Sequence, residues 1–122
     1  PTVIVDARPE MRVAQEEIFG PVLVVLPFET EEEAIRIANG VKYGLAAYIW
    51  TRDLVRAHRV DQAMEVGMVW INAPNVRDLR TPLGGAKHSG IGGHYSFEFY
   101  TEVMTIHVAL AAPRIPRLGI GR

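Results

Sequence analysis

The apolar positions of this sequence alternate between short continuous runs and stripes with helical spacing. The runs Thr2–Val5, Val22–Phe28, Ala46–Thr51 and Met68–Ile71 have the length and residue content of β-strands. The continuous run at Val22–Phe28 is typical of a strand covered on both faces in a parallel sheet, so we expect it to be buried.

A first helix is predicted after the second of these runs. Thr30 and Glu33 have the spacing of a capping box, and an apolar stripe follows them. With a second helix between the third and fourth runs, the order is β-α-β-α-β. This order predicts an α/β fold with parallel strands joined by helical crossovers.

The second helix is expected to begin after Asp53, which has the character of an N-cap residue, and to continue through about Met64. Arg56 and Arg59 on this helix are expected to form a charged outer face with Asp53 or Asp61 as partners. Surface pairs of this kind contribute little stability.

Residues 72–94 interrupt the alternation, because prolines and Gly-Gly pairs stand close together with few apolar residues between them. We therefore predict a long loop of the kind that carries functional residues. An extended pattern returns at Phe99–Leu110, and a strand near a chain end can pair with a neighbouring subunit's sheet edge. The tail at 111–122 has little to bury, so we expect it to be flexible.

The composition excludes several classes of partner. The 122 residues are 48% hydrophobic, which is enough for one compact domain. The sequence has 13 basic and 14 acidic residues, so it lacks the excess positive charge needed to hold nucleic acid or an anionic membrane surface. No apolar run spans a bilayer and no signal peptide opens the sequence, so a soluble, cytoplasmic protein without a membrane partner is expected.

The sequence contains no cysteine, which excludes disulfides and thiol nucleophiles within these residues. We also predict no metal site. The acidic run Glu31–Glu33 suits the first turn of a helix better than a metal, and the histidines lack the spacing of metal ligands and are expected to be solvated: His58, His88, His94 and His107.

Several segments, in order along nearly the whole chain, resemble the aldehyde dehydrogenase superfamily. The glycine-rich segment is the most specific of them, and it lacks the spacing and following helix of a phosphate-binding loop. The segments are Glu16–Val22, Tyr43–Ala47, Thr51–Asp53, Val69–Asn72, Thr81–Gly90 and Tyr100–Val103.

The resemblance implies the carboxy-terminal part of an NAD(P)-dependent enzyme that oxidises an aldehyde to a carboxylate. Residues 1–98 would form part of its catalytic domain, 99–110 an oligomerisation strand and 111–122 the flexible tail. The reaction uses a cysteine thiolate and a dinucleotide-binding domain, and these residues contain neither. We therefore expect the chain alone to be inactive and to bind little NAD or NADP, and the alternative is a non-catalytic assembly module.

Cofactor-binding residues are implied by the same resemblance. The second glutamate of the Glu16–Val22 segment would accept hydrogen bonds from the nicotinamide ribose, and the phenylalanine would pack beside the nicotinamide. These roles fall on Glu17 and Phe19, with Leu45 as a further cofactor contact. A helix-terminal acid and a core aromatic are the alternative interpretation.

The substrate side is implied for Ala73, Asn75, Arg77 and Leu83. Leu83 replaces the family's usual phenylalanine at a position that lines the aldehyde tunnel, so the resemblance implies a smaller apolar wall with room for a larger substrate. The run Arg77–Pro82 resembles the muconic semialdehyde branch, and residues 95–100 resemble its 5-carboxymethyl-2-hydroxymuconate members. A guanidinium recognises a carboxylate through paired hydrogen bonds, so an acidic semialdehyde is predicted. The alternative is that an arginine of this loop pairs with a neighbouring acid.

The last segment implies assembly contacts at Glu102, Val103 and Thr105, either in a homo-oligomer or with other aldehyde dehydrogenase subunits. After Gly92 the chain reaches Tyr100 a few residues sooner than family members do, and it lacks an arginine that supports the assembly strand. This departure affects the contact expected at Glu102. No residue of this chain is predicted to be catalytic.

Overall fold

The computed structural model describes residues 1–76, 81, 83–90, 102 and 104–109. They divide into two compact units, residues 1–42 and residues 43–122, each of which is described by itself. The predictions for residues 77–80 and 91–100 and for the tail at 111–122 lie outside the described residues.

The first unit contains a two-stranded parallel sheet and two helices. Its elements are β1 (Thr2–Ile4), α1 (Arg12–Gln15), β2 (Val22–Val24) and α2 (Glu31–Asn39). The prediction that the Val22–Phe28 run is a buried strand was wrong in length and in burial. The strand ends at Val24, and Leu23 is 60% exposed because the described residues of this unit cover only part of the two-stranded sheet.

Helix α2 begins at the predicted cap. The Thr30 hydroxyl accepts a hydrogen bond from the Glu33 backbone N–H at 3.1 Å. The Glu33 carboxylate accepts from the Glu29 N–H at 2.9 Å, one residue earlier than the standard capping box requires. The carboxylates of the first turn lie at the positive end of the helix dipole, which favours this start point.

The second unit is built on a three-stranded parallel sheet with the order β4-β5-β7. A short antiparallel pair, β3 with β6, accompanies it. The elements are β3 (Tyr43–Gly44), β4 (Ala46–Ile49), α3 (Leu54–Ala63), β5 (Met68–Ile71), β6 (Ala86–Lys87) and β7 (Thr105–Val108).

The predicted mixed α/β class is confirmed, with one correction to its connectivity. Helix α3 links two adjacent parallel strands of one sheet, as expected. Helix α2 does not, because β2 pairs with β1 and not with β4. Within the described residues the strands form three sheets, β1-β2 in the first unit and β3-β6 and β4-β5-β7 in the second.

The core of the second unit surrounds β5, whose four residues are all buried. Val69 and Ile71 pack against Ala57 and Met64, and the opposite face of the strand carries a second buried cluster. Burying an aliphatic side chain of this size stabilises a fold by roughly 2 kcal/mol. The central strand therefore fixes the position from which the following loop departs.

Helix α3 begins as predicted, because the Asp53 carboxylate accepts from the Arg56 N–H at 3.0 Å. The prediction that Asp61 lies on a charged outer face was wrong. Asp61 is 0% exposed, and one of its oxygens lies 3.1 Å from Nδ1 of the half-exposed His58. Among the described residues its other oxygen, Oδ1, has no hydrogen-bond partner. Position 61 lies on the core-facing side of the helix, three residues after His58.

Candidate functional site

The loop after β5 begins with a side-chain clamp. The Asn72 amide oxygen accepts from the Thr51 N–H at 3.0 Å, and its NH₂ group donates to the Thr51 carbonyl at 2.8 Å. Asn72 has a positive φ of 55°, a conformation that asparagine tolerates better than most residues. The clamp ties the ends of β4 and β5 together at the point where the chain leaves the sheet.

A ladder of three aromatic side chains crosses the sheet beneath this loop. Trp70 stacks on Tyr48 with a centroid distance of 5.3 Å and on His107 at 5.1 Å. The three residues are direct partners in the strand register. The prediction of a solvated His107 was therefore wrong, because its ring covers the Trp70 indole.

The predicted substrate residues fall into different environments. Asn75 is exposed with a φ of 45°, and Leu83 is 57% exposed. Ala73 is only 3% exposed and packs with Met68 and Trp70, so its side chain belongs to the core. Arg77 lies outside the described residues.

The glycine-rich segment is held against β3 by backbone and side-chain hydrogen bonds. Gly44 donates its N–H to the Ser89 hydroxyl at 3.2 Å, and its carbonyl accepts from the Gly67 N–H at 3.0 Å. A Cβ atom at Gly67 would overlap the Gly84 carbonyl oxygen. Glycine is therefore required at position 67 because two backbone segments meet there.

Lys87 is a feature of this segment to which the sequence reasoning assigned no role. Its ammonium group lies 2.6 Å from the Glu65 carboxylate, and its φ is 53°. A non-glycine residue with positive φ is uncommon and persists where its surroundings hold it. The presence of a lysine within the glycine-rich pattern was the available signal in the sequence.

The cofactor candidates of the first unit are both open to solvent. Phe19 is 99% exposed and has a φ of 56°. Glu17 is exposed, and it forms no hydrogen bond or ion pair within the described part of the chain. The core-aromatic alternative is thus not supported for Phe19 in this unit. Leu45, in the second unit, is 51% exposed.

The neighbouring Glu16, unlike Glu17, forms an ion pair within its own helix region. Its carboxylate forms two hydrogen bonds of 2.9 Å with the guanidinium of Arg12, four residues earlier. The hydrogen bond from Arg12 lowers the pKa of Glu16 below its ordinary value, and the same contact raises the pKa of Arg12. Within the described residues, the Glu16 carboxylate is therefore paired with Arg12, whereas the Glu17 carboxylate has no partner.

The fit of these residues to a nicotinamide nucleotide follows from this contrast. A carboxylate without partners can accept from two ribose hydroxyls, and an exposed phenyl ring can restrain a flat heterocycle. Glu17 and Phe19 are separated by one residue, so both groups are offered by one short segment. The described residues therefore fit one edge of a nicotinamide riboside site.

The predicted assembly residues lie around β7. Glu102 is exposed, Val103 is outside the described residues and Thr105 begins the strand. Thr105 donates its N–H to the Gly67 carbonyl at 3.1 Å, and β7 pairs with β5 of the same chain. The strand thus extends the chain's own sheet, and a contact between subunits stays a prediction.

The described residues show neither a membrane-spanning helix nor a metal-ligand cluster. Within these ranges no helix has the length and apolar content to cross a bilayer. No group of three histidine, aspartate or glutamate side chains is placed to hold a metal ion in the same part of the chain.

Comparison with known proteins identifies the class. Residues 1–106 match the aldehyde dehydrogenase family. The chain belongs to this family.

Three proteins illustrate how similar its members are. The chain is 52% identical over 113 residues to the 2-aminomuconic 6-semialdehyde dehydrogenase of a Pseudomonas species, covering 90% of this chain and 23% of that protein. It matches the crystal structure of HpcC from Thermus thermophilus with a TM-score of 0.71 and 61% identity, over 73% of this chain and 17% of that one. It matches the NAD+ complex of an aldehyde dehydrogenase from Bacillus cereus with a TM-score of 0.71 and 48% identity, over 74% and 18%. The chain thus spans about a quarter of the length of such relatives.

Proposed function

We propose that these residues form the nicotinamide edge and part of the aldehyde-side wall of an NAD-dependent aldehyde dehydrogenase acting on an acidic semialdehyde. The observation that carries the proposal is the exposed carboxylate of Glu17, which has no partner within the described residues, two positions before the 99% exposed Phe19. NAD is favoured because a family member of similar fold is solved with NAD+. When bound, it supplies the acceptor for the hydride that leaves the substrate.

The role of Glu17 in this proposal is to position the ribose. Its carboxylate accepts hydrogen bonds from the ribose hydroxyls, while Phe19 limits rotation of the flat ring. Correct orientation of reacting groups contributes a large part of enzymatic rate enhancement, so a small loss of alignment slows the chemical step.

The covalent step must use a thiolate from outside these residues, because the sequence has no cysteine. The complete enzyme is the polypeptide or assembly that combines these 122 residues with that thiolate and a dinucleotide-binding domain. The isolated chain is expected to show no aldehyde oxidation. A cytoplasmic location of the complete enzyme stays a prediction from the sequence.

The acidic substrate class rests on Arg77 and on the similarity to the Pseudomonas 2-aminomuconic 6-semialdehyde dehydrogenase. A guanidinium in the aldehyde-side loop would bind the carboxylate at the far end of such a substrate. Leu83, which is half exposed, would provide the apolar wall beside it. We propose a muconic-type semialdehyde as the substrate, with the 5-carboxymethyl-2-hydroxy compound as one member of that class.

Replacing Arg77 with leucine in the complete enzyme tests the substrate class. The loss of a charge-assisted pair costs about 2 kcal/mol, which corresponds to a rise in KM of about 30-fold for an acidic semialdehyde. KM for a neutral aliphatic aldehyde should change by less than about threefold. Arg36→Leu, at an exposed position of α2, is the matched control. Equal losses on both substrates would show that Arg77 is structural.

A second candidate is the non-catalytic assembly module. The absence of cysteine favours it for the isolated chain. In the described sheet β7 is the end strand and pairs with β5 along one edge, so an assembly module would use its other edge. Analytical ultracentrifugation distinguishes the two, since a module should form a stable oligomer at micromolar concentration and an isolated catalytic part should not.

A further inference from the structure

The Trp70 side chain reaches from the sheet into the loop that follows it. Its indole Nε1–H donates a hydrogen bond of 2.7 Å to the carbonyl of Val76. Trp70 itself is 1% exposed, whereas Val76 is 41% exposed. We infer that Trp70 is a positioning residue that fixes the start of the aldehyde-side loop through this carbonyl. The inference rests on the proposed function of that loop.

The hydrogen bond spans a segment in which two asparagines have an uncommon backbone conformation. Between Ile71 and Val76 the chain takes positive φ values at Asn72 and Asn75. The amide pair with Thr51 holds the first of these residues. Conformations of this kind persist only when their surroundings enforce them. The bond to Val76 is the second fixed point, one residue after Asn75.

The indole is fixed from both sides, so it can act as an anchor. Tyr48 stacks on it with an interplanar angle of 18°, and His107 with an angle of 9°. The indole N–H is the only polar group of this side chain, and a buried donor left without an acceptor is costly. Any movement of the Val76 carbonyl would therefore break the hydrogen bond at a cost in free energy.

Loss of the Trp70–Val76 hydrogen bond should affect aldehyde binding more than the hydride-transfer step. Trp70 is buried and holds the Val76 carbonyl, so its effect on a bound aldehyde passes through the loop backbone. Loosening that point should weaken aldehyde binding, while cofactor binding and the hydride step should change little. A residue needed only for folding would lower the amount of active enzyme without this selectivity.

The test removes the N–H while keeping the ring. In the complete enzyme, position 70 is replaced by 3-benzothienylalanine, which keeps the bicyclic ring and has sulfur in place of the indole N–H. We expect KM for the aldehyde to rise about fivefold to tenfold from the loss of one hydrogen bond, with KM for NAD and kcat within about twofold. The carbonyl ¹³C resonance of Val76 should move upfield, because that oxygen loses its hydrogen-bond donor.

Two controls make the result specific. Tyr48→Phe keeps the aromatic ladder and should change neither KM nor the Val76 carbonyl resonance. Incorporating 5-fluorotryptophan at position 70 keeps the N–H and should behave like the unsubstituted enzyme. An unchanged KM for the aldehyde and an unchanged Val76 carbonyl resonance in the benzothienyl enzyme would overturn the inference, and so would equal changes in the KM values of aldehyde and NAD. An unsubstituted enzyme with no aldehyde oxidation would refute the proposed function instead, and the Val76 carbonyl resonance would still show whether Trp70 holds the loop.

Discussion

The Ser89 hydroxyl accepts a hydrogen bond from the backbone N–H of Gly44 at 3.2 Å, although 45 residues separate them in the sequence. Gly44 lies in β3, directly before the cofactor candidate Leu45, and Ser89 follows the β6 strand of the glycine-rich segment. One side chain therefore links the segment that contains Leu45 to the segment that contains Leu83.

Replacing Ser89 with alanine measures how much this hydrogen bond contributes to stability. The buried Gly44 N–H would lose its acceptor, so we expect the free energy of unfolding to fall by about 1 to 2 kcal/mol. Amide exchange at Gly44 should accelerate. The Gly67 amide serves as an internal control, because it donates to the Gly44 carbonyl and not to Ser89. Unchanged exchange at Gly44 would contradict the assignment.

Gly67 and Gly20 form a matched pair for the packing argument. Gly67→Ala would force a Cβ atom into the Gly84 carbonyl, and overpacking of this kind costs about 3 kcal/mol. At Gly20 the nearest atom to a new Cβ is Ile18 Cγ2 at 4.0 Å, so Gly20→Ala should change stability by less than about 1 kcal/mol. Urea unfolding of both variants measures the difference. Similar effects at the two positions would show that the close backbone contact at Gly67 does not exist.

Asp53 gives a pH-dependent contribution to stability. The hydrogen bond from the Arg56 N–H lowers its pKa below the ordinary value of 3.8. A carboxylate with a lowered folded-state pKa stabilises the fold above its unfolded pKa, and the effect is lost as the pH falls through the folded pKa. The parent chain should therefore lose stability relative to Asp53→Asn as the pH drops below about 4. Denaturant unfolding of both proteins at pH values of about 6 and about 2.5 measures the change, and a constant difference would refute it.

Local sequence signals predicted some elements well. The caps at Thr30 and Asp53 and the strand Met68–Ile71 were predicted correctly, because a capping side chain acts over three residues and an apolar strand forms a continuous run. The β3–β6 pair was missed, since two-residue strands have no periodicity and depend on contacts between distant segments. The burial of Asp61 was missed for a related reason, because a charged residue is almost always expected at the surface.

The roles proposed for the candidate site come from the family resemblance and not from residue spacing. Resemblance assigned the ribose to Glu17, and the structure adds a physical reason by showing that Glu16 is occupied by Arg12. It also assigned Ala73 to the substrate side, whereas packing against Trp70 places that side chain in the core. Neither distinction can be read from spacing, because both depend on which neighbour each side chain meets in three dimensions.

The most direct test of the account compares Glu17→Gln with Glu16→Gln in the complete enzyme by single-turnover kinetics. Formation of NADH is followed by absorbance, and formation of the covalent thiolate adduct is followed by rapid quenching. We predict that Glu17→Gln slows hydride transfer by about tenfold or more through loss of ribose alignment, with adduct formation unchanged, and that Glu16→Gln leaves both steps within about twofold. Hydride transfer at the parent rate in Glu17→Gln, or equal slowing in both variants, would contradict the assignment of the nicotinamide edge to Glu17.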